Sequence, residues 1–140
     1  MKIHIINGPN LNLLGQRETS IYGQESFEDY LERLQEMLPA HEFEYYQSNV
    51  EGELVNAIQR AGSMAQGIII NPGAYGHTSL AMADAIRSID VPVVEVHISN
   101  IYSREPIRHT LLLAPHCKGV ISGVGMQGYY LAALALESII

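Results

Sequence analysis

The chain has 140 residues, 47% hydrophobic and 16% charged, with a formal net charge of −7. That length is enough for a single domain, 1–140, with a proper core, and the acidic balance argues against nucleic acid and anionic membrane surfaces as partners. Cys117 is the only cysteine, which excludes an internal disulfide and a cysteine-based zinc site and fits a reducing, cytoplasmic compartment. No run approaches the ~18 apolar residues of a membrane span, and Met1 to Ile5 lacks the ~7–15-residue apolar stretch of a signal peptide.

In chain order, Lys2–Asn7 predicts a buried strand. The stretch 8–23 that follows is far longer than the usual two to six residues of a strand-to-helix connection. Leu11, Leu13, Leu14 and Ile21 give it apolar anchors, while Asn10, Asn12, Arg17 and Tyr22 offer hydrogen bonds, a cation and a phenol. An active-site lid is the expectation. Ser26 followed by Asp29 predicts an N-cap, with Phe27, Tyr30, Leu31, Leu34 and Leu38 on one helical face and Pro39 as the stop. Phe43–Gln47 predicts a charged edge strand. Ser48 and Glu51 resemble a capping box before a helix carrying Leu54, Ala57, Ile58 and Ala61.

Gly67–Ile70 is wholly apolar, as a central parallel strand should be. A second polar loop, 71–78, precedes a helix over Ser79–Ile89. Val91–Val96 predicts the fourth strand, Ser99 the cap of a short helix, Val120–Ile121 the start of a fifth strand, and Met126–Ile140 an apolar last helix. Alternating strands and helices of this size imply an α/β fold: a flavodoxin-like, doubly wound, five-stranded parallel sheet of order 2-1-3-4-5 in a three-layer sandwich. Ligands of such sheets sit beyond the carboxyl ends of the strands, where the order reverses. The polar residues obey that rule. Asn7–Tyr22 follows strand 1, Asn71–His77 follows strand 3, and Glu95–Ser99 ends strand 4.

The inventory of reactive groups excludes several chemistries. The two lysines, Lys2 and Lys118, fall outside these strand ends, which disfavours an imine. No Gly-x-Ser-x-Gly elbow, lysine-bearing phosphate loop or His-Glu-x-x-His helix is present. Glu95 and His97 are two apart on a strand and share a face, so the carboxylate can orient the imidazole as a general acid; the alternative is a core histidine. His77 precedes a helix start, where a capping or loop role competes with a ligand role. Tyr22 shares its loop with Arg17, and a guanidinium beside a phenol favours the phenolate once the loop closes over a dry site. Arg104 and Arg108, one helical turn apart, present either a cationic face or a solvated surface pair. Gly73 reads as a turn residue. A metal site from His77, Asp84, Glu95 and His97 lacks any tight motif spacing.

Several motifs together resemble the type II 3-dehydroquinate dehydratases over essentially the whole chain. They are Gly8-Pro-Asn-Leu-Asn-Leu-Leu-Gly, Arg17-Glu, Tyr22-Gly, Asn71-Pro-Gly-Ala-Tyr-Gly-His-Thr-Ser, Glu95-Val-His-Ile-Ser-Asn, Arg104, Arg108-His and Gly125-Met-Gln-Gly-Tyr. The resemblance implies a lyase of the shikimate pathway that dehydrates 3-dehydroquinate to 3-dehydroshikimate by anti elimination through an enolate, without metal, cofactor or imine. It implies Tyr22 as base, Arg17 as the group lowering its pKa, Asn10 positioning a water near the enolate, and His97 as acid oriented by Glu95. It further implies a substrate site made of Asn71, Gly73, His77 and Arg108, with the backbone amides of Ile98 and Ser99 on the carboxylate. Asp84 would reach in from a neighbouring subunit of a trimer within a dodecamer. Departures from the family pattern are Thr19 for a frequent proline, Gly76 for a common threonine, Tyr102 for a frequent histidine and Pro106 for an often acidic position. The alternative from another class is a non-enzymatic flavodoxin-like module binding a flavin or other small ligand, but the Ser/Thr-rich phosphate loop it would need after strand 1 is missing.

Overall fold

A computed structural model describes residues 1–16, 18, 20 and 23–139. Arg17, Thr19, Ile21 and Tyr22, all singled out from the sequence, lie outside the described residues. Five parallel strands run β1 (Lys2–Asn7), β2 (Glu42–Gln47), β3 (Gly67–Asn71), β4 (Val93–His97) and β5 (Gly119–Ser122), in the order β2-β1-β3-β4-β5. The long helices among the described residues are α1 (Phe27–Met37), α2 (Glu51–Met64), α3 (Leu80–Arg87) and α4 (Gln127–Ile139).

Two apolar cores explain the layering. Because side chains alternate across a strand, Ile3 and Ile5 of β1, Ile69 of β3, and Val94 and Val96 of β4 face one way. They pack on Phe27, Tyr30 and Leu34 of α1 and on Tyr129, Ala132, Ala133 and Leu136 of α4. Ile6, Ile68, Ile70 and Val93 face the other way, onto Leu54, Ala57, Ile58 and Ala61 of α2 and Met82, Ala83, Ala85 and Ile86 of α3. With both faces covered, the central strands have no polar side to spare until their last residues.

Local signals behave largely as the residues dictate. Ser26 caps α1 by accepting from the Asp29 amide at 3.2 Å, and the helix ends at Met37, ahead of Pro39. Ser79 caps α3 by accepting from Met82 N. Three expectations need correction. Ser48 and Glu51 form no capping box: the Ser48 hydroxyl accepts from Val50 N at 2.9 Å and donates to Glu53 at 2.6 Å, and Val50 precedes the helix. The fourth strand begins at Val93 rather than Val91, where Pro92, lacking an N–H, contributes only its carbonyl, to Ile68 N. After β4 the chain makes three short 3-10 turns (Ile101–Ser103, Pro106–His109 and Ala114–His116), the first capped by Asn100, not Ser99.

The reversal of order places the carboxyl ends of β1 and β3 side by side, with Asn7 opposite Asn71. From there the two chains leave toward opposite faces, and the gap between them is the cleft. The loop after β1 is pinned at its root. Gly8 N donates to Asn71 O at 2.8 Å, and Leu11 and Leu14 are buried in the core with α1. A Cβ on Gly8 would stand 2.4 Å from the Pro72 carbonyl oxygen, so only glycine lets these two loops touch. Gly8→Ala should therefore lower the urea-unfolding free energy by about 1–3 kcal/mol, the usual cost of overpacking a rigid contact; an unchanged midpoint would show that the loops separate freely.

Candidate active site

Three strand ends build the cleft. The β1 loop contributes Pro9, Asn10, Leu11, Leu14 and Glu18; the β3 loop contributes Asn71, Gly73, Ala74 and His77; the β4 end contributes His97, Ile98 and Ser99. Ile101, Arg104 and Arg108 close the far side around a cavity of about 130 Å³. Of the residues anticipated from sequence, the structure thus brings together Asn10, Asn71, Gly73, His77, His97, Ile98, Ser99 and Arg108, with Glu95 beneath them. Asp84 does not join them: it is exposed on α3, 3.5 Å from Arg87. Tyr22 and Arg17 are outside the described residues.

The floor of the cleft is a buried ion-pairing couple. Glu95 is fully buried, His97 is 5% exposed, and His97 Nε2 lies 2.5 Å from Glu95 Oε2. With Nε2 committed to the carboxylate, the other ring nitrogen, Nδ1, is the one left to exchange a proton with a ligand. Behind the couple, the Cys117 thiol lies 4.0 Å from Glu95 Oε1 and 3.4 Å from the Leu113 carbonyl. Burial first, and the Glu95 carboxylate second, push that thiol up to about 12, so it stays protonated and inert.

His77 stands over His97 with ring centroids 5.8 Å apart and planes at 28°. Its Nδ1 is 2.9 Å from the Thr110 carbonyl, an acceptor, so Nδ1 carries the proton and Nε2 offers a lone pair. Desolvation lowers the His77 pKa; the Thr110 carbonyl opposes this, while His97 and Arg108 add to it. A neutral imidazole suited to accept from a hydroxyl results. Gly76 sits between the two histidines, where a Cβ would meet the Pro72 ring at 2.8 Å and stand 3.5 Å from His97 Cε1. A threonine at this position has no room unless the Pro72 ring shifts.

Cations line the cleft despite the acidic chain. Arg104 Nη1 reaches the Ser99 hydroxyl at 3.4 Å, and Arg108 Nε donates to Glu105 Oε1 at 3.2 Å. Their common face comes from successive 3-10 turns, with Arg104 following the first and Arg108 inside the second, and not from one α-helical turn. Asn10 adopts a left-handed conformation, φ 70°, with its amide donating to Asn49 Oδ1 at 2.9 Å. Asn49 O also accepts from the Tyr75 hydroxyl, joining the β1 and β3 loops. Sequence reading missed Asn49 and Cys117, whose roles depend on contacts 39 and 22 residues away. Arg104 carried a visible signal, its spacing from Arg108.

The buried His4 and the half-buried His77 make stability pH-dependent. His77 and His4 both have pKa values lowered from 6.5, chiefly by desolvation, with Glu44 partly opposing at His4. The unfolded chain then binds more protons than the folded one, so stability rises with pH across that window and is lost as pH falls below about 6.5. The melting temperature should climb between pH 5 and 7 and level off above. His4→Gln and His77→Gln should each flatten that climb in thermal scans, and a profile that falls with rising pH would contradict the assignment.

The sequence matches the family model described as dehydroquinase class II over residues 1–137. It is 50% identical to a 3-dehydroquinate dehydratase of Caldicellulosiruptor bescii, covering 99% of this chain and 98% of that one. It is 52% identical to one of Rhizobium meliloti, covering 98% and 94%. Its fold superimposes on the crystal structure of a type II dehydroquinase from Butyrivibrio crossotus with a TM-score of 0.94 at 46% identity, covering 98% of this chain and 97% of that one. With full-length identity and the same fold, the chain belongs to the class II dehydroquinases.

Proposed function

We propose that the protein is a hydro-lyase that removes water from 3-dehydroquinate to give 3-dehydroshikimate, as its relatives' names state for them. The observation that carries this reading is the buried Glu95–His97 couple at the floor of a cleft walled by a neutral His77 and two arginines. An imidazole held by a carboxylate can give a proton to a departing hydroxyl. Its imidazolium form keeps Nε2–H on Glu95 and donates from Nδ1.

The base is Tyr22 on the lid, with Arg17 favouring its phenolate as the lid closes. It takes the proton beside the ketone, an enolate forms with its oxygen held through a water placed by Asn10, and His97 then protonates the leaving hydroxyl. Removal of the proton and loss of the hydroxyl from opposite faces suit a base from the loop after β1 and an acid at the cleft floor. Asn71 and His77 Nε2 receive the substrate hydroxyls with Arg108, Gly73 lets the loop approach, and the Ile98 and Ser99 amides take the carboxylate. Lys2 and Lys118 sit at the amino ends of β1 and β5, away from the cleft, which supports a route without an imine. The exposed position of Asp84 supports its reaching the cleft of a neighbouring copy in a trimer, four trimers making a dodecamer. The whole chain acts as one domain in the cytoplasm. Among the described residues no helix is long and apolar enough to cross a membrane, and no three or more His, Cys, Asp or Glu residues are grouped to hold a metal ion.

Adding 3-dehydroquinate to the purified protein should produce the ultraviolet absorbance of a conjugated enone; its absence at high enzyme concentration would refute the activity. Tyr22→Phe should lower turnover by roughly 10²–10⁴, the range for losing an acid–base group, with little change in substrate affinity. Borohydride added with substrate should leave the protein unmodified by mass. A trapped lysine adduct would overturn the imine-free route.

A further inference from the structure

Tyr129, the third residue of α4, has no solvent exposure, yet its hydroxyl reaches the carboxyl ends of two strands. It donates to Asn7 Oδ1 at 2.9 Å and accepts from Asn71 Nδ2 at 2.9 Å. Its ring is fixed by Phe27, edge-on at 4.9 Å, and by Tyr30 at 6.1 Å. A phenol buried this way persists only if its hydroxyl is satisfied, and phenylalanine would fill the same space without that cost. The hydroxyl therefore has a task.

The task follows from the donor count at Asn71. A phenol has one proton, and burial holds the Tyr129 pKa well above its ordinary value, so that proton stays in place. Since it goes to Asn7, the phenolic oxygen can only accept from Asn71, which turns the Asn71 amino group toward it. On the other side, Gly73 N donates to Asn71 Oδ1 at 3.2 Å. Both neighbours demand the same orientation of the carboxamide; rotated by 180°, it would set an N–H donor against the Gly73 N–H. One N–H of Asn71 and one lone pair of its oxygen remain, and Asn71 lines the cleft.

We propose that Tyr129 is a positioning residue for the cleft: its hydroxyl fixes the Asn71 carboxamide so that a set donor and a set acceptor meet a substrate hydroxyl. This rests on the dehydratase reading, with Asn71 as a substrate ligand. Without the phenol, the amino group loses its acceptor and the carboxamide rocks about its side-chain torsion. Ground-state binding suffers, while proton transfer at Tyr22 and His97 does not.

The test is a double-mutant cycle on the full chain. Wild-type turnover of 3-dehydroquinate comes first; its absence overturns the dehydratase reading and this inference together. Given turnover, Tyr129→Phe should raise KM roughly five- to tenfold, the size of one hydrogen bond, with kcat and its pH profile nearly unchanged. In an Asn71→Ala background the same substitution should alter kcat/KM by less than about twofold. A merely structural role would lower the melting temperature and leave KM alone. Unchanged KM, or effects that multiply in the double variant, would overturn the inference. Should Tyr129→Phe fail to fold, the wild-type protein still decides. Labelled with ¹⁵N at asparagine, Asn71 should show one Nδ2 proton protected from solvent exchange and the other shifted by substrate, whereas two protons exchanging like a free amide would refute it.

Discussion

The pairing of β1 with β3 is the constraint from which the cleft follows. Parallel strands in register from Ile3–Gly67 to Asn7–Asn71 end together, and the connections that leave them must cover opposite faces of the sheet. No loop can then close over the shared end without leaving a gap. Both cores are completed below this line by apolar side chains alone. The first polar groups along the central strands, apart from Lys2 and His4, are those that meet the gap: Asn7, Asn71, Glu95 and His97.

The Glu95–His97 couple shows what such a position costs. β4 is otherwise valine, and a valine at 95 would pack where a carboxylate must be desolvated. Buried ion pairs are often no more stabilising than apolar residues of similar size, while breaking one by removing a partner costs about 3–5 kcal/mol. Stability alone therefore does not account for Glu95. Holding one nitrogen of His97, and leaving the other for a ligand, does. His77 follows the same logic, its Nδ1 spent on the Thr110 carbonyl and its Nε2 thereby left as an acceptor.

Much of this was legible in the sequence because period and punctuation agreed with the final packing. The apolar run Gly67–Ile70, the Ser26 cap and the clustering of polar residues after strands 1, 3 and 4 rest on local rules, and all agree with the fold. Two misreadings share a cause. Ser99 and the arginine pair were judged on helical spacing, but the segments after β4 are short and hold prolines at 106 and 115, which favours 3-10 turns whose geometry redirects the side chains. Ser48 failed differently: α2 starts after Val50, and the Ser48 hydroxyl bonds Val50 N and Glu53 instead. The supporting contacts were illegible for a different reason: Asn49, Cys117 and Tyr129 act across separations that no local pattern records. Tyr22 and Arg17 were singled out for their chemistry, and both lie outside the described residues.

The phenol that bridges Asn7 and Asn71 belongs to the last helix, 122 and 58 residues further along the chain. On a ribosome, which releases the chain from its amino end, every strand and both polar loops of the cleft are made before that helix exists. A nascent chain stopped short of α4 would hold every side chain proposed for catalysis and still leave uncovered the part of one sheet face that α4 shares with α1, with Asn71 lacking its phenol partner. The fold thus makes competence wait on α4, and chains terminated before it should be inert as well as unstable.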